Sequence, residues 1–219
     1  MSGMREKYQT VMIQAKAETE EKKSRFIAIC QPLASESEAI GFVCRVRQDY
    51  PDASHHVYAW ILGGDLNLQR FSDDGEPQGT AGLPVLDVLR KRGIDQAGIV
   101  VVRYFGGTLL GTGGLARAYA RAAALALEGA RPVQMQLCQT FSLTVGYAVQ
   151  ERLRRRLEIA GCQLTGCRYG QTVDLQVAVP LARAGELNQI CADVTGGTVD
   201  PKPAGLIYRP LPPPDPPPA

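Results

Sequence analysis

The sequence predicts an α+β fold divided into two domains, and the order of its elements supports this in two ways. Up to about residue 135, short apolar strands are intermixed with amphipathic helices. From residue 136 the order becomes strand, helix, two strands, helix and strand, which is the βαββαβ order of a ferredoxin-like domain. We therefore assign an N-terminal domain to residues 1–135, a C-terminal domain to 136–209 and a proline-rich, disordered tail to 210–219.

The spacing of apolar residues predicts the elements of the N-terminal domain. Strands are expected in YQTVMIQAK, RFIAICQ, HHVYAWIL and AGIVVVRYF, and amphipathic helices in SESEAIGFVCRVRQDY and GLPVLDVLRKRG. Ser35, followed three residues later by Glu38, predicts a capping box at the start of the first helix.

The C-terminal elements are predicted in the same way. The strands are CQTFSLTVGY, CQLTGCRYG, QTVDLQVAVP and AGLIYR, and the helices are AVQERLRRRLEIAG and ARAGELNQICADVT. The second of these strands follows the first helix, and the last strand follows the second helix, which completes the βαββαβ order.

Composition limits the classes of function. The 219 residues are 45% hydrophobic and 21% charged, and no apolar run approaches the roughly 18 to 20 residues of a membrane helix, so we expect a cytoplasmic protein that does not bind membranes. The six cysteines are scattered, which favours reduced core thiols over a zinc site. The net charge of +2 is too small for a dedicated nucleic-acid binder, so any RNA contact must come from a local patch.

A glycine-rich stretch, RYFGGTLLGTGGLARAYAR at residues 103–121, is the first candidate site. It lacks the lysine of a P-loop. Gly111, Gly113 and Ala116 match a dinucleotide fingerprint, but the strand after the following helix, CQTFSLTV, offers no acidic residue for a ribose hydroxyl. We expect a strand ending near Tyr104, a tight loop and a helix beginning near Gly114, with Arg117 and Arg121 on one helical face. The predicted phosphate-binding residues are Arg103, Gly106, Gly107, Gly111, Gly113, Gly114, Arg117 and Arg121. Alternatively, the glycines only permit close packing and the arginines are solvated.

An acidic loop, FSDDGEPQGTAGLP, is the second candidate site. Asp73, Asp74 and Glu76 precede a helix expected to start near Gly82, and they could hold a magnesium ion or orient a water molecule; Asp, Gly and Pro are also what a tight loop requires. His55 and His56 are adjacent on a strand and face opposite ways, so only one can point into a site. A metal centre would need further ligands such as Asp73 or Asp74, and a histidine that is buried or hydrogen-bonded at a strand end is favoured over it. We predict no bound metal or cofactor.

Two further groups of residues are candidates for RNA contacts. Tyr104 and Phe105 flank the glycine loop, where one of them could stack on a base. The helix ERLRRRLEIAG carries a basic patch, which is either a solvated face or a phosphate-contacting surface of the second domain. Its members are Arg152, Arg154, Arg155 and Arg156.

Four blocks of the sequence resemble a known family: SRFIAIC, DASHHVYAWILGG, FSDDGEPQGTAGLPVLDVL and IVVVRYFGGTLLGTGGLARAYARA. They are similar to the IMPACT family and to its bacterial YigZ-like branch. The resemblance implies that the first domain has the fold of ribosomal protein S5 domain 2, which elongation factor G (domain IV) and small-molecule kinases of the GHMP class share. It implies that the second domain is similar to the C-terminal domain of the same elongation factor. His56 matches the family block better than His55, and the resemblance implies no catalytic residue.

These observations lead to three expectations of function. The first is a non-enzymatic, translation-associated protein that binds RNA or the ribosome through the glycine loop and its arginines. The second is a protein or enzyme for a phosphorylated small ligand, in which Asp73, Asp74 or Glu76 acts as metal ligand or base with His56 nearby. The third is an interaction module whose acidic loop meets a basic partner such as a translation factor.

Overall fold

The structure, a computed structural model, describes residues 4–64 and 67–211. The chain divides into two compact units, one formed mainly by Tyr8–Gln134 and the other by Arg5–Lys7 with the residues from 135 onwards. No helix in the described part of the chain is long and apolar enough to cross a membrane. Most of the predicted tail, residues 212–219, lies outside the described residues.

The N-terminal unit is built around a five-stranded antiparallel sheet. The elements up to residue 129 are β1 (Lys7–Val11), β2 (Ala15–Glu21), β3 (Ser24–Pro32), α1 (Glu36–Asp49), β4 (His55–Leu62), β5 (Leu68–Ser72), α2 (Gly82–Lys91), β6 (Ala97–Tyr104) and α3 (Thr112–Gly129). The sheet has the strand order β2-β3-β6-β4-β5, which places β6 at its centre.

Helices cover both faces of this sheet, so its central strand is buried on both sides. Ile99 and Val101 of β6 belong to a core shared with α2 and α3. Val100 and Val102 belong to a second core, shared with α1. Alternate residues of a strand point to opposite faces, and this accounts for the continuous apolar run IVVV in β6.

The strand register brings polar residues together on the face that α3 covers. In the β3–β6 pair Phe26 lies opposite Arg103, and in the β4–β6 pair His55 lies opposite Arg103. These three residues therefore form a row across neighbouring strands at one end of the sheet. His56 has the other parity and lies on the α1 face with Val102.

The C-terminal unit has the predicted βαββαβ order. Its elements are β7 (Pro132–Val145), α4 (Tyr147–Ile159), β8 (Gln163–Tyr169), β9 (Val173–Pro180), a 3-10 helix (Leu181–Arg183), α5 (Glu186–Thr195) and β10 (Lys202–Leu211). Within this unit the sheet has the order β7-β9-β8, and β10 also pairs with β7. Leu153 and Leu157 of α4 pack with Leu187 of α5 in the core of this unit.

Several boundaries differ from the sequence predictions. The edge strands β2 and β5 were not predicted, because exposed polar residues alternate or cluster along them and produce no apolar signal. Helix α3 begins at Thr112, one half turn before Gly114, and α5 begins only at Glu186. The last strand extends through Pro210 and Leu211, which the sequence analysis assigned to the tail.

Candidate functional site

Asp73, the first carboxylate of the acidic loop, organises the loop itself. One of its oxygens accepts hydrogen bonds from the amides of Ala81 (3.0 Å) and Gly82 (2.8 Å), and the other accepts one from the amide of Gly79 (2.8 Å). Ala81, the residue that precedes α2, has no side-chain oxygen with which to cap the helix. Asp73 therefore supplies the missing cap from eight residues away.

Asp74 ties the loop to the neighbouring elements. Its carboxylate accepts from Arg47 Nη2 (2.6 Å) and from the backbone amide of His56 (2.7 Å). Its backbone carbonyl accepts from His55 Nδ1 at 2.8 Å. The residue has a left-handed backbone with φ 45°, which Asp tolerates better than most residues.

Glu76 is the one buried carboxylate of the three predicted in this loop. Its side chain is 4% exposed, and its Oε1 accepts from Arg103 Nη1 (2.6 Å) and from the Tyr119 hydroxyl (2.7 Å). His55 Nε2 lies 3.8 Å from the same oxygen. We call Glu76, Arg103, Tyr119 and His55 the Glu76 cluster.

The predicted phosphate contact at Arg103 is replaced by this internal ion pair. The Arg103 side chain is only 5% exposed, and its second amino group donates to Ser24 Oγ at 3.2 Å. Its charge is matched inside the protein by Glu76, so Arg103 does not belong to an exposed basic surface. Position 103 has the strand parity of Val101, which turns its side chain toward α3.

The three carboxylates of the acidic loop have separate partners. Asp73 accepts from loop amides, Asp74 from Arg47 and Glu76 from Arg103. In the described ranges, 4–64 and 67–211, no group of three or more His, Cys, Asp or Glu residues is arranged to hold a metal ion.

The two histidines lie on opposite faces of the sheet, because they are adjacent on β4. His56 is buried, and its Nε2 lies 2.9 Å from the carbonyl of Tyr50, so it supports the fold from the α1 face. His55, rather than His56, belongs to the Glu76 cluster. Since a carbonyl oxygen only accepts, the bond to Asp74 requires a proton on His55 Nδ1, and this leaves Nε2 to face Glu76.

Tyr119 keeps its hydroxyl proton in this setting. Burial raises the pKa of its hydroxyl, and the hydrogen bond to Glu76 raises it further, so the hydroxyl remains a donor at neutral pH. The Tyr119 ring also packs edge-on against Phe26, with 5.1 Å between ring centroids. Sequence reasoning missed Tyr119, although its spacing of four from buried Leu115 indicates the inner face of α3.

A pocket of about 350 Å³ opens beside the Glu76 cluster. We call it the Glu76 pocket. Its polar lining is His55, Glu76, Arg103 and Thr112, and its other lining residues are Pro77, Phe105, Leu109, Leu110, Gly111 and Leu115. Arg103 Nε is buried and has no hydrogen-bond partner in the described part of the chain. The pocket therefore combines apolar walls with a buried ion pair.

The glycine loop adopts its conformation for two physical reasons. A Cβ on Gly106 would lie 2.1 Å from the backbone of Lys23, so the β2–β3 turn could not approach the loop as closely. Gly107 and Gly111 have φ values of 82° and 69°, where residues with a Cβ are strained. Packing thus explains Gly106, while Gly113 and Gly114 lie in the first turn of α3.

Arg117 and Arg121 lie on the exposed face of α3, as their spacing predicts. With Lys22 of the β2–β3 turn they line a depression of about 280 Å³, which Glu21 and Gly114 also line. Among the described residues, neither arginine makes an ion pair. We call Lys22, Arg117, Arg121 and the first turn of α3 the α3 basic surface.

The start of α3 adds to the electrostatics of this surface. Gly111, at the N-cap, makes no side-chain hydrogen bond, and the first turn holds no acidic residue. A Cβ on Gly113 would lie 3.5 Å from Arg117 Nη1, so this guanidinium lies against the helix start. Open amides, the positive end of the helix dipole and the arginine therefore converge.

Two of the four arginines in the predicted basic patch of the second unit are neutralised by glutamates of the same helix. Arg154 pairs with Glu158 and Arg155 with Glu151, each at a spacing of four on α4. Arg152 donates to the carbonyl of Val194, while Arg156 is exposed. A depression of about 480 Å³ on the sheet of this unit contains the Arg168–Asp174 ion pair, whose charges also cancel.

Comparison with known proteins assigns both parts of the chain. The model of the Impact N-terminal domain matches residues 22–127, and that of a domain of unknown function, DUF1949, matches residues 143–198. The IMPACT family member YigZ of Escherichia coli (strain K12) is 37% identical over 180 residues, which cover 81% of this chain and 88% of that protein. The chain belongs to the IMPACT family.

Two further similarities agree with this assignment. IMPACT family member YvyE of Bacillus subtilis (strain 168) is 32% identical over 187 residues, covering 85% of this chain and 86% of YvyE. A crystal structure described as that of a hypothetical protein aligns with a TM-score of 0.59 at 33% identity, covering 92% of this chain and 99% of the other. The two-domain fold implied by the resemblance to the IMPACT family is thereby confirmed.

Both candidate sites of the N-terminal unit lie within the matched Impact N-terminal domain. The residues of the Glu76 cluster and of the α3 basic surface fall between positions 22 and 127. The arginines of α4 fall within the DUF1949 match. The IMPACT-family domain therefore contains a buried polar cluster and an exposed cationic surface, and α3 contributes Tyr119 to the first and Arg117 and Arg121 to the second.

Proposed function

We propose that this IMPACT-family protein is translation-associated and binds RNA, free or in the ribosome, through the α3 basic surface. The observation that carries the proposal is the concave surface where Lys22, Arg117 and Arg121 meet the uncapped start of α3. Such a role would take place in the cytoplasm.

Charge and geometry support a phosphate ligand at this surface. Three cations and one carboxylate, Glu21, line the depression, so its local charge is positive although the whole chain carries only +2. Helix amides and arginines are the groups that proteins use most often to hold phosphate oxygens. The contact is to the backbone of the nucleic acid, and we expect it to be independent of sequence and sensitive to salt.

The fold favours the ribosome as the source of this RNA. The resemblance to two domains of elongation factor G supports that choice, although one fold serves many functions. The proposal of RNA binding therefore depends on the α3 basic surface. The fold serves only to favour ribosomal RNA over other RNAs as the ligand.

The alternatives based on the acidic loop have less support. A phosphorylated ligand or a basic translation factor would need Asp73 and Asp74 to be available, but Asp73 caps α2 and Asp74 pairs with Arg47. Glu76 lines the Glu76 pocket, but its charge is already paired with Arg103.

The test is co-sedimentation with ribosomes, combined with fluorescence anisotropy on a labelled single-stranded RNA. We expect Arg117→Glu/Arg121→Glu to abolish pelleting and to reduce the slope of log K against log salt by about 1.4, since each lost phosphate contact on a single strand contributes about 0.7. The matched control is Arg45→Glu/Lys91→Glu, which makes the same change in charge at exposed positions of α1 and α2.

Two results would contradict the proposal. One is wild-type protein that neither pellets with ribosomes nor binds the RNA at low salt. The other is an equal loss of binding in both double variants, since this would show that net charge and not the α3 basic surface controls the interaction.

A further inference from the structure

The Glu76 pocket has unfilled hydrogen-bonding capacity at its floor. Both donors to Glu76, from Arg103 and Tyr119, use Oε1, and within the described chain no group donates to Oε2. Arg103 Nε also has no partner among the described residues, but it is buried. A complementary ligand would therefore present a hydrogen-bond donor to Glu76 Oε2.

The walls of the pocket are apolar and partly open to solvent. Phe105 is 49% exposed and Leu109 is 81% exposed, and both line the pocket with buried Leu115. Exposed aromatic and aliphatic side chains around a concave site are typical of surfaces that a ligand covers. A flat, apolar body would bury them.

Electrostatics decide the charge of such a ligand. Glu76 and Arg103 already neutralise each other, so an anion would be repelled by the carboxylate, and a lone cation would lose its hydration without a free counter-charge. The ligand that fits is therefore neutral and planar, with a hydrogen-bond donor on its edge for Glu76 Oε2. Nucleobases have this chemistry, because their Watson–Crick edges pair neighbouring donors and acceptors and their faces stack on aromatic rings.

The position of the pocket connects it to the α3 basic surface. Leu110 lines both depressions, and the first turns of α3 contribute Thr112 and Leu115 to one and Gly114 and Arg117 to the other. An RNA strand with a phosphate on the α3 basic surface would therefore have a base beside the Glu76 pocket.

We propose that the Glu76 pocket receives an unpaired nucleobase of the RNA whose phosphates contact the α3 basic surface. This inference rests on the function proposed above and adds to it a mode of recognition: the base stacks on Phe105 and its edge meets Glu76 Oε2. The protein then prefers single-stranded segments, because bases in a duplex are not free to enter the pocket.

The test compares a labelled single-stranded oligoribonucleotide with an abasic oligomer of the same length and charge. Wild-type protein should bind the strand with bases at least about fivefold more tightly, the lower end of what one stacked base contributes. We call the affinity for the strand with bases divided by the affinity for the abasic strand the base ratio. Phe105→Ala and Glu76→Gln should each bring this ratio close to one, while the affinity for the abasic strand stays the same.

Controls separate the pocket from the surface. Phe71→Ala removes an aromatic ring of similar exposure, 45%, outside the pocket and should keep the ratio. Arg117→Glu/Arg121→Glu should weaken both oligomers and keep the ratio. Because Glu76→Gln removes the charge facing Arg103 and lowers stability, Phe105→Ala is the deciding variant.

The outcomes distinguish the two proposals. Equal binding of both oligomers by wild-type protein overturns the base pocket and leaves the phosphate surface intact. The base-pocket proposal is also overturned if Phe105→Ala prefers the strand with bases over the abasic strand as strongly as wild-type protein does. Failure of wild-type protein to bind either oligomer at low salt overturns the phosphate surface, and the pocket proposal falls with it.

Discussion

Glu76 shares one carboxylate oxygen between two buried donors, the Arg103 guanidinium and the Tyr119 hydroxyl. Arg103 also lies 5.5 Å from the centre of the Phe26 ring and 5.4 Å from that of Phe105. The guanidinium is therefore held by charge, hydrogen bonds and aromatic faces together. Its position joins the acidic loop to the centre of the sheet.

Removing the charge of Glu76 should be costly. We expect Glu76→Ala to lower the free energy of unfolding by about 3 to 5 kcal/mol, because Arg103 would remain charged and buried without a partner. Urea unfolding measures this difference. Glu18→Ala, which breaks the half-exposed ion pair with Arg25, is the control and should have a much smaller effect. Equal effects of both substitutions would contradict the buried-pair interpretation.

Residue identity alone could not assign the members of the site. Arg103 was expected at a phosphate surface, yet it is buried and paired with Glu76. Both histidines contact the acidic loop, His56 at Asp74 and His55 at the Glu76 cluster. The parity of β4 and β6 assigns each to a face, but which face α3 covers depends on the packing of the whole unit. Arg117 and Arg121 were placed correctly on one exposed helical face because that depends only on local spacing.

At the scale of elements, the first helix begins where its capping signal predicted. Ser35 Oγ accepts from the Glu38 amide at 3.2 Å, and the Glu38 carboxylate accepts from the Ala34 amide at 2.8 Å. The reciprocal arrangement satisfies two amides at the helix start. The helix covers one face of the sheet, so its stability supports the whole N-terminal unit.

Loss of this cap should destabilise the protein measurably. We expect Ser35→Ala to lower the free energy of unfolding by about 1 kcal/mol, while Ser35→Asp retains an acceptor and stays near the wild-type value. Thermal and urea unfolding of the three proteins test this. If Ser35→Asp were as unstable as Ser35→Ala, the hydroxyl would have a role other than capping.

Strands were predictable where burial imposes a pattern. Central strands such as β6 and β9 have strong apolar signals, whereas β2 and β5, at the edges of the N-terminal sheet, do not. An edge strand gains its backbone hydrogen bonds from one neighbour and buries few side chains, so its residues are free to be polar. The strands β2 and β5 form because a neighbouring strand of the sheet pairs with them, and their own composition does not predict them.

At the scale of the whole molecule, burial of thiols should make the free energy of unfolding fall as pH becomes alkaline. Four cysteines, Cys30, Cys138, Cys162 and Cys191, are buried, whereas Cys44 and Cys167 are exposed. Burial raises the pKa of the Cys30 thiol to about 12. The expectation of core thiols is thus met at four of the six positions.

The sign of the effect follows from proton binding. The folded state holds the Cys30 proton more tightly than the unfolded chain, so stability is complete below about pH 8.5 and falls as pH rises toward 12. The slope from this one thiol is about 1.4 kcal/mol per pH unit. Urea unfolding between pH 8 and 10.5 should show a shallower decline in Cys30→Ala than in wild type. Cys44→Ala, at an exposed position, should leave the slope unchanged, and an unaltered slope in Cys30→Ala would refute this account.

The sequence by itself determined the α+β class, the βαββαβ order, the main helices and the exposed face of Arg117 and Arg121, because apolar spacing and helical geometry are local properties. The resemblance of its motifs also indicated the IMPACT family. Only the tertiary structure decided that Glu76 pairs with Arg103, that His55 and Tyr119 join them and that Lys22 completes the basic surface. These contacts link residues far apart in the chain, and strand register and helix packing, which depend on the complete core, bring them together.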